Sequence, residues 1–491
     1  MKFDLAQLTF IETEQSRHKL AVAASDGNLT WGELEAEVDK LVCRLQSLQI
    51  PKGHPIIIYG HKEKLFIVAM VACMCLKLPY VPIDTIFPLE RLKKIRNILN
   101  SSVIIRCETG ALETYSVKNL VSYEREFDPI IYIMFTSGST GKPKGVQITK
   151  KAILSYVNWI KQVFPFNSQD CFFNQIPFNF DLSTYEVFSF LTYGASIVTF
   201  SRTIINEPDH FISRLAQYSC TVWNSTPSFL SLTFLNGQFN SHTLFSLKKF
   251  FLAGEPLTYK VANRLFKKFN GSRLYNSYGP TEACNTSTLV EITAEILRKY
   301  SSNLPVGFPK YSTQIHLANT VVENGREIGE IELIGDNVSI GYFANEKLNR
   351  EKFTLKSGKR CFKTGDYGYF EKDMLFFVGR KDDLIKLHGY RIEIGEIDKA
   401  IEEHELVEQS VTVPFTRGIE VAKLVSFIKL NNPEMDTHVV DNINHQLSEK
   451  LPYYMVPSGI IVCDDYPYNA NHKIDKKALI ETYSIFKKIN S

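Results

Sequence analysis

Thr136-Ser137-Gly138-Ser139-Thr140-Gly141-Lys142-Pro143-Lys144-Gly145 follows the apolar run Ile130 to Phe135 and precedes the amphipathic segment Ala152 to Phe164. An apolar run of that length reads as a buried β-strand, and the later segment has helical spacing. The glycines at 138, 141 and 145 let the backbone turn sharply and bring N–H groups near an anion. Four hydroxyls and two lysines add side-chain donors and positive charge. The stretch reads as a phosphate loop with a triphosphate as its guest. It is not a Walker A loop, which needs Ser or Thr directly after Gly-Lys, because Lys142 is followed by Pro143. It is not a G-x-G-x-x-G dinucleotide fingerprint either. Gly/Ser/Lys stretches are often plain linkers, but a strand before and a helix after argue against that here.

Outward from this loop, short β-rich runs alternate with helical stretches. Examples are Pro55 to Tyr59 then Lys62 to Leu76, Ser196 to Phe200 then Glu207 to Gln217, and Lys249 to Leu252 then Tyr259 to Phe269. Alternation of this kind predicts α/β layers with parallel strands and ligands at their C-terminal ends. From Gln314 to Gly379 the rhythm changes to strands and turns, with strands expected at Ile315 to Leu317, Gly329 to Ile334, Val338 to Tyr342 and Leu375 to Val378. After Asp382 come strands at Ser410 to Val413 and Ala422 to Lys429, a helix at Val439 to Lys450 and a basic tail. The expectation is an α/β protein: a large N-terminal domain, 1–380, of layered sheets with a β-rich subdomain, and a small, mobile C-terminal α+β domain, 381–491.

With 491 residues the chain exceeds the size at which one core stops growing. A net charge of +3 gives no long-range attraction for nucleic acid. Nine cysteines lie scattered without a C-x-x-C pair, which suggests reduced thiols and a cytoplasmic setting. The N-terminal stretch, with Asp4, Glu12 and Glu14, lacks the apolar core of an export signal. The longest apolar run, Leu65 to Leu76, is too short for a bilayer and reads as a buried helix, so no membrane insertion is expected.

Four further signals each have a plain explanation. Asp181, in Phe180-Asp181-Leu182-Ser183, stands where a helix should begin and could be its N-cap. Asn276-Ser277-Tyr278-Gly279-Pro280-Thr281-Glu282 could be a strand end with a Gly-Pro turn, yet it gathers an amide, an aromatic face, a hydroxyl and a carboxylate that a purine and a magnesium ion could use. Thr364-Gly365-Asp366 could be a turn, although its carboxylate also suits paired ribose hydroxyls. Lys473, in Asn471-His472-Lys473-Ile474-Asp475, could be a solvated tail lysine.

Together, in this order, the motifs resemble the amino-acid-activating branch of the adenylate-forming superfamily, which also holds acyl-CoA synthetases and luciferases. Ala253-Gly254-Glu255, Gly341-Tyr342, Gly379-Arg380-Lys381-Asp382 and Lys386 to Glu393 extend the resemblance from about Gly32 to Leu479. Within that branch, Pro55 to His61 and Leu451 to Pro457 look most like the stand-alone ligases that load D-alanine onto a carrier protein.

The resemblance implies a reaction in two steps. A substrate carboxylate attacks the α-phosphate of ATP, giving an acyl-adenylate and pyrophosphate, and a pantetheine thiol of a separate carrier protein then displaces AMP. It implies that Thr136, Ser137, Gly138, Ser139, Thr140, Gly141 and Lys144 cradle the β- and γ-phosphates, Thr281 meets the α-phosphate and Glu282 holds Mg2+. Asn276, Ser277, Tyr278 and Gly279 would receive adenine, and Asp366 the ribose, with Arg380 nearby. Lys473 would bridge the reacting groups, Asp382 would be the hinge of a C-terminal rotation, and Gly389 would flank the pantetheine channel unless it serves only a turn. Asp181 would pair with an α-ammonium, which favours amino acids over fatty or aryl acids.

The pocket implied by Leu182, Tyr185, Ser225, Phe251, Ala253, Gly254, Ser277, Asn285 and Thr286 departs from the D-alanine pattern. Ala253 stands where those enzymes usually have cysteine, and Asn285 where they have valine, so a polar amino acid is as consistent as D-alanine. His472 also departs, from a usual glycine. A monomer with no nucleic-acid partner is expected. A CoA ligase for a small acid, a non-catalytic nucleotide-binding module and a P-loop phosphohydrolase are the competing readings.

Overall fold

The computed structural model describes the chain except residues 13–16, 117–124, 126, 139–142, 302, 381–383, 418–419, 432–437, 469–473 and 490–491, and the side chains of 417, 420 and 484–489. The chain forms two compact units. The first comprises Met1–Thr85, Arg96–Phe135 and Lys144–Lys381, and the second Ile86–Ile95, Thr136–Pro143 and Asp382–Ser491.

Among the described residues, three larger sheets and a two-stranded one, Lys2–Asp4 with Thr9–Ile11, build the first unit. A nine-stranded sheet has at its centre the parallel strands Leu20–Ala24, Ser196–Thr199, Cys171–Asn174, Val222–Ser225, Lys249–Leu252 and Arg273–Tyr278, in that spatial order. Its strands Cys171–Asn174, Ser196–Thr199 and Val222–Ser225 are buried along their length, as apolar runs covered on both faces must be. A six-stranded sheet places Ile130–Thr136 between Lys144–Thr149 and Tyr80–Asp84. The strand that precedes the glycine-rich motif therefore lies inside that sheet, not on its edge. Helix Lys150–Val163 begins where Thr149 accepts a hydrogen bond from Ala152 N, and its apolar face joins the core through Ile153, Tyr156 and Ile160. Helix Lys64–Cys75 is apolar and buried, and among the described residues no helix is long and apolar enough to cross a membrane.

The third sheet is antiparallel: Thr313–Glu323, Arg326–Gly335, Lys359–Glu371 and Phe353–Lys356, with Met374–Arg380 also paired to Lys359–Glu371. Two expectations are corrected here. Val338 to Tyr342 is a turn that contributes only a bridge between Tyr342 and Val146. Ser339 Oγ bonds the carbonyls of Gln147 and Gly341 and accepts from Gly341 N, so the side chain competes with strand pairing. Thr364-Gly365-Asp366 is not a turn between elements but lies within a long strand, next to a register shift and with Gly365 at φ 76°.

The second unit is α+β. Strands Val407–Arg417, Glu420–Leu430 and Ile460–Val462 form one sheet, with helices Ile394–Glu402, Val439–Lys450 and Lys476–Ile489. Val411, Val413, Val425, Phe427, Tyr466 and Leu479 form its core. Leu384–Leu387 pairs with Tyr390–Glu393 through a two-residue turn in which His388 and Gly389 have φ of 52° and 84°. Two successive positive φ values match the twist of a tight hairpin, so Gly389 has a structural duty whatever else it does.

Candidate functional site

Three neighbouring parallel strands deliver residues at their C-terminal ends, where ligands bind in open α/β sheets. Ser225 ends Val222–Ser225, Ala253 and Gly254 follow Lys249–Leu252, and Asn276, Ser277 and Tyr278 end Arg273–Tyr278. Their register pairs Ser225 with Leu252 and Leu252 with Asn276.

At one end of this row, the Tyr278 hydroxyl donates to Asp366 Oδ2 at 2.6 Å and Arg380 donates to Asp366 Oδ1 at 2.5 Å. Arg380 also reaches the Thr364 carbonyl at 3.0 Å, and the Thr364 hydroxyl accepts from Asp366 N at 2.9 Å. Burial, and then the neighbouring Asp366 carboxylate, push the Tyr278 phenol well above its usual range. The tyrosine ring lies 6.1 Å from Phe377. The Asn276 amide donates to the Pro305 carbonyl at 2.8 Å and is held rigidly.

Beyond Tyr278 the chain passes through Gly279 and Pro280 into a short helical turn, Thr281–Ala283. A Cβ on Gly279 would lie 2.0 Å from the Asn285 carbonyl oxygen, so only glycine lets the backbone fold back this closely. Cys284 and Asn285 follow with φ of 58° and 68°, an unusual pair of left-handed residues. Such conformations persist where surrounding structure over-determines them. Glu282 is fully buried, and its Oε1 accepts from the Tyr342 hydroxyl at 2.7 Å. The Lys144 ammonium lies 5.6 Å from the centre of the same Tyr342 ring. Tyr342 therefore joins the last lysine of the loop motif to the turn carrying Thr281 and Glu282.

Around Asp181 and Asn285 runs a chain of hydrogen bonds. The Thr184 hydroxyl donates to the Asp181 carbonyl at 2.6 Å and accepts from Asn285 Nδ2 at 3.4 Å. Asn285 Nδ2 also donates to the Tyr156 hydroxyl at 3.3 Å. Ser277 donates to the Thr286 hydroxyl at 3.2 Å. Gly254, at φ 89°, faces Thr226 and Leu182, and Tyr185 stacks on Phe251 with ring centres 4.1 Å apart. Asp181 opens a short helical turn, Asp181–Ser183, whose N-cap is Phe180, while Ser183 is the N-cap of helix Thr184–Tyr193. Asp181 is thus the N-cap residue of neither element.

Ser225 stands apart from this group. Its hydroxyl accepts from Trp223 Nε1 and donates to the Thr226 carbonyl, whereas Asn224, on the opposite face of the strand, bonds the Leu182 carbonyl. Tyr156 and Thr184 carry no signal of their own in the sequence, and Tyr342 stands out there only within the Gly341-Tyr342 motif, although all three tie these residues together. Lys310 is a further addition. It is buried, and its amine has no hydrogen-bond partner among the described residues. It lies 5.4 Å from the centre of the Tyr156 ring, and burial lowers its pKa to about 8.

In the second unit, Ser137 donates to the Arg391 carbonyl at 2.9 Å and accepts from Glu393 N at 3.2 Å. Gly138 is buried, and the buried Thr136 hydroxyl has no partner among the described residues. Ser139, Thr140, Gly141, Asp382 and Lys473 lie outside the described residues.

A family model described as AMP-binding enzyme matches residues 11–343. The D-alanine--D-alanyl carrier protein ligase of Bacillus licheniformis is 37% identical over 494 aligned residues, covering 95% of this chain and 97% of that protein. Among solved structures, the Vibrio cholerae adenylation domain AlmE, in complex with glycyl-adenosine-5'-phosphate, superposes with a TM-score of 0.81 at 20% identity, over 98% of this chain and 96% of that one. The o-succinylbenzoate CoA synthetase of Bacillus subtilis superposes with a TM-score of 0.79 at 22% identity, over 97% of each chain. At these identities both structures establish the fold alone.

Proposed function

Because the chain belongs to the AMP-binding enzyme family, we propose that it activates an amino acid with ATP as an aminoacyl-adenylate, releasing pyrophosphate, and passes the aminoacyl group to the phosphopantetheine thiol of a separate carrier protein. One observation carries this reading. A single backbone turn, Tyr278 to Thr286, connects a tyrosine bonded to Asp366, a buried carboxylate bonded to Tyr342, and an asparagine bonded to Tyr156 and Thr184. Groups suited to a ribose, to phosphates and to a polar substrate are thereby fixed in one frame. The relationship to D-alanine ligases over 95% of the chain supports an amino acid and a carrier protein as the two partners.

The chemistry joins two anions, so positive charge and N–H donors must be in place before they meet. Asp366 would accept the ribose hydroxyls, because a carboxylate has lone pairs beyond those taken by Tyr278 and Arg380. Tyr278 and Asn276 would flank the adenine. Thr136, Ser137, Gly138, Ser139, Thr140, Gly141 and Lys144 would hold the terminal phosphates, and Thr281 the α-phosphate. Lys473 would serve both reacting groups. Asp181 would take the α-ammonium, and Asn285 with Ser277 and Thr286 would meet the side chain.

Mg2+ fits Glu282. It is a hard, buried carboxylate next in sequence to Thr281, and no cluster of three acidic, histidine or cysteine ligands occurs among the described residues. Magnesium keeps waters and phosphate oxygens and needs only one or two protein carboxylates. When bound it would neutralise charge on the phosphates.

Amino-acid-dependent ATP–pyrophosphate exchange over a panel of both enantiomers is the test. Exchange is expected with at least one small or polar amino acid, lost on chelation of magnesium, and absent with deaminated analogues such as propionate. Exchange with propionate equal to that with alanine, or with no amino acid at all, would reject the assignment. Thioester formation on free CoA without a carrier would assign the chain instead to the CoA ligases.

A further inference from the structure

The turn that bears Asp181 is held from outside itself. Between strand Cys171–Asn174 and helix Thr184–Tyr193 the chain makes an irregular passage, and Asn179 in its middle gives it no support. That residue is buried, and neither end of its amide has a partner among the described residues. The support comes from Glu186, Asn224, Asn174 and Lys62, all fully or almost fully buried.

Asn224 Nδ2 donates to the Leu182 carbonyl at 3.0 Å and to Glu186 Oε2 at 2.8 Å. Asn174 Nδ2 donates to the other carboxylate oxygen, Glu186 Oε1, at 3.2 Å. The opposite end of the Asn174 amide accepts from the Lys62 ammonium at 2.5 Å. Lys62 also donates to the Ile176 carbonyl at 2.5 Å and sits 4.2 Å from the centre of the Phe178 ring. The Lys62 carbonyl is in turn fixed by the Thr199 hydroxyl at 2.9 Å. The acid and the amine do not touch; an amide stands between them.

We propose that Glu186 is a positioning residue for the amino-acid anchor: through Asn224 it fixes the Leu182 carbonyl, and through Asn174 it is tied to Lys62, so that this buried relay sets where the Asp181 carboxylate stands. The inference rests on the reading that Asp181 takes the substrate ammonium. Leu182 directly follows Asp181, and the bonds at Ile176 and Leu182 clamp the passage on both sides of it. Both oxygens of the buried acid accept hydrogen bonds, which offsets the cost of burying it and holds it in one orientation. Burial pushes the Glu186 carboxyl up to about 8 and the Lys62 amine down to about 7. A neutral substitute at either site therefore changes the hydrogen-bond pattern more than the net charge.

The test compares Glu186→Gln, Asn224→Ala and Asp181→Asn in the full-length enzyme by exchange kinetics, with melting curves as a folding control. For Glu186→Gln and Asn224→Ala the expected result is a KM for the amino acid raised about tenfold or more, with KM for ATP within about twofold of wild type. A merely structural weakening would move both constants together, and that result, or an unchanged amino-acid KM in a folded variant, overturns the proposal. If Glu186→Gln does not fold, Asn224→Ala, which keeps the acid and cuts only the links from the amide, carries the same two outcomes. Asp181→Asn separates the underlying reading from the relay. If it leaves the amino-acid KM unchanged, the anchor itself is misassigned; if it raises that KM while the two relay variants do not, only the relay fails.

Discussion

Tyr278 and Asp366 share a 2.6 Å hydrogen bond across 88 positions of sequence, and Arg380 holds the other oxygen of the same carboxylate. The carboxylate is held through both of its oxygens. A hydrogen bond to a charged acceptor contributes about 1.5–3 kcal/mol. Asp366→Ala is therefore expected to raise KM for ATP roughly 10- to 100-fold while leaving KM for the amino acid nearly unchanged. Tyr278→Phe retains the ring and Arg380, and should cost less than about tenfold. Steady-state exchange with each substrate varied in turn distinguishes the two; equal effects on both KM values would remove Asp366 from the nucleotide end.

Gly279→Ala should be far more damaging than its size suggests. The added methyl carbon would meet the Asn285 carbonyl oxygen at 2.0 Å, and its carbonyl carbon and Ser287 N at 2.8 Å, all of them backbone atoms that cannot swing aside. The turn from Thr281 to Asn285 must shift, taking Glu282 with it. We expect exchange activity to fall about 100-fold or more, with a lowered melting midpoint. A fully active, wild-type-stable Gly279→Ala would show that the turn tolerates displacement.

Much of this frame was legible in the sequence because local rules govern it. The apolar run Ile130 to Phe135 and the strand rhythm around Lys249 to Leu252 fall within strands, and the Gly-Pro signal at 279–280 lies between strand Arg273–Tyr278 and the short helical turn Thr281–Ala283. What was not legible depends on distant partners. Tyr156 faces the interior from a helix whose pattern announces only an apolar stripe, and nothing in that stripe says that its hydroxyl meets Asn285. Thr184 looks like a helix-start residue, and Tyr342 sits in a stretch that reads as a strand. Nor does local pattern join Ile86–Ile95 and Thr136–Pro143 with Asp382–Ser491, since that grouping follows from contacts such as Ser137 with Arg391.

Asn285→Val tests the polar end of the pocket. Valine fills a similar space but leaves the Tyr156 and Thr184 hydroxyls without the amide that donates to both. The Thr184 hydroxyl keeps its bond to the Asp181 carbonyl, and losing one hydrogen bond of this kind costs about 0.5–1.5 kcal/mol. The variant should lose some stability and shift the ratio of kcat/KM for polar over apolar amino acids downward by roughly tenfold. Competition between serine and alanine of the same configuration measures it. An unchanged ratio would mean that Asn285 only braces Tyr156 and does not read the side chain.

Lys310 makes the sharpest pH prediction. Its amine is buried beside Tyr156 and Trp159, without a partner among the described residues, and burial lowers its pKa to about 8. In the unfolded chain a lysine titrates near about 10.4. Below about pH 8 both states carry the proton, and the folded state bears the full penalty of a buried charge. Between about 8 and 10.4 the unfolded chain binds more protons than the folded one, so this penalty is relieved as pH rises. Cys284, the other group facing the amine, is pushed up to about 11 by burial and works in the opposite direction, which obscures the effect in the wild type alone. Both proteins keep that thiol, so the difference between Lys310→Met and wild type isolates the lysine except for the attraction between the two groups, which holds the Cys284 thiol lower in the wild type. The methionine variant should melt about 2–4 °C higher at pH 7, with the advantage shrinking toward zero by about pH 10.4. A Lys310→Met protein that melts lower than wild type at pH 7, with a gap independent of pH, would show that the ammonium is satisfied in the fold and that its burial carries no penalty.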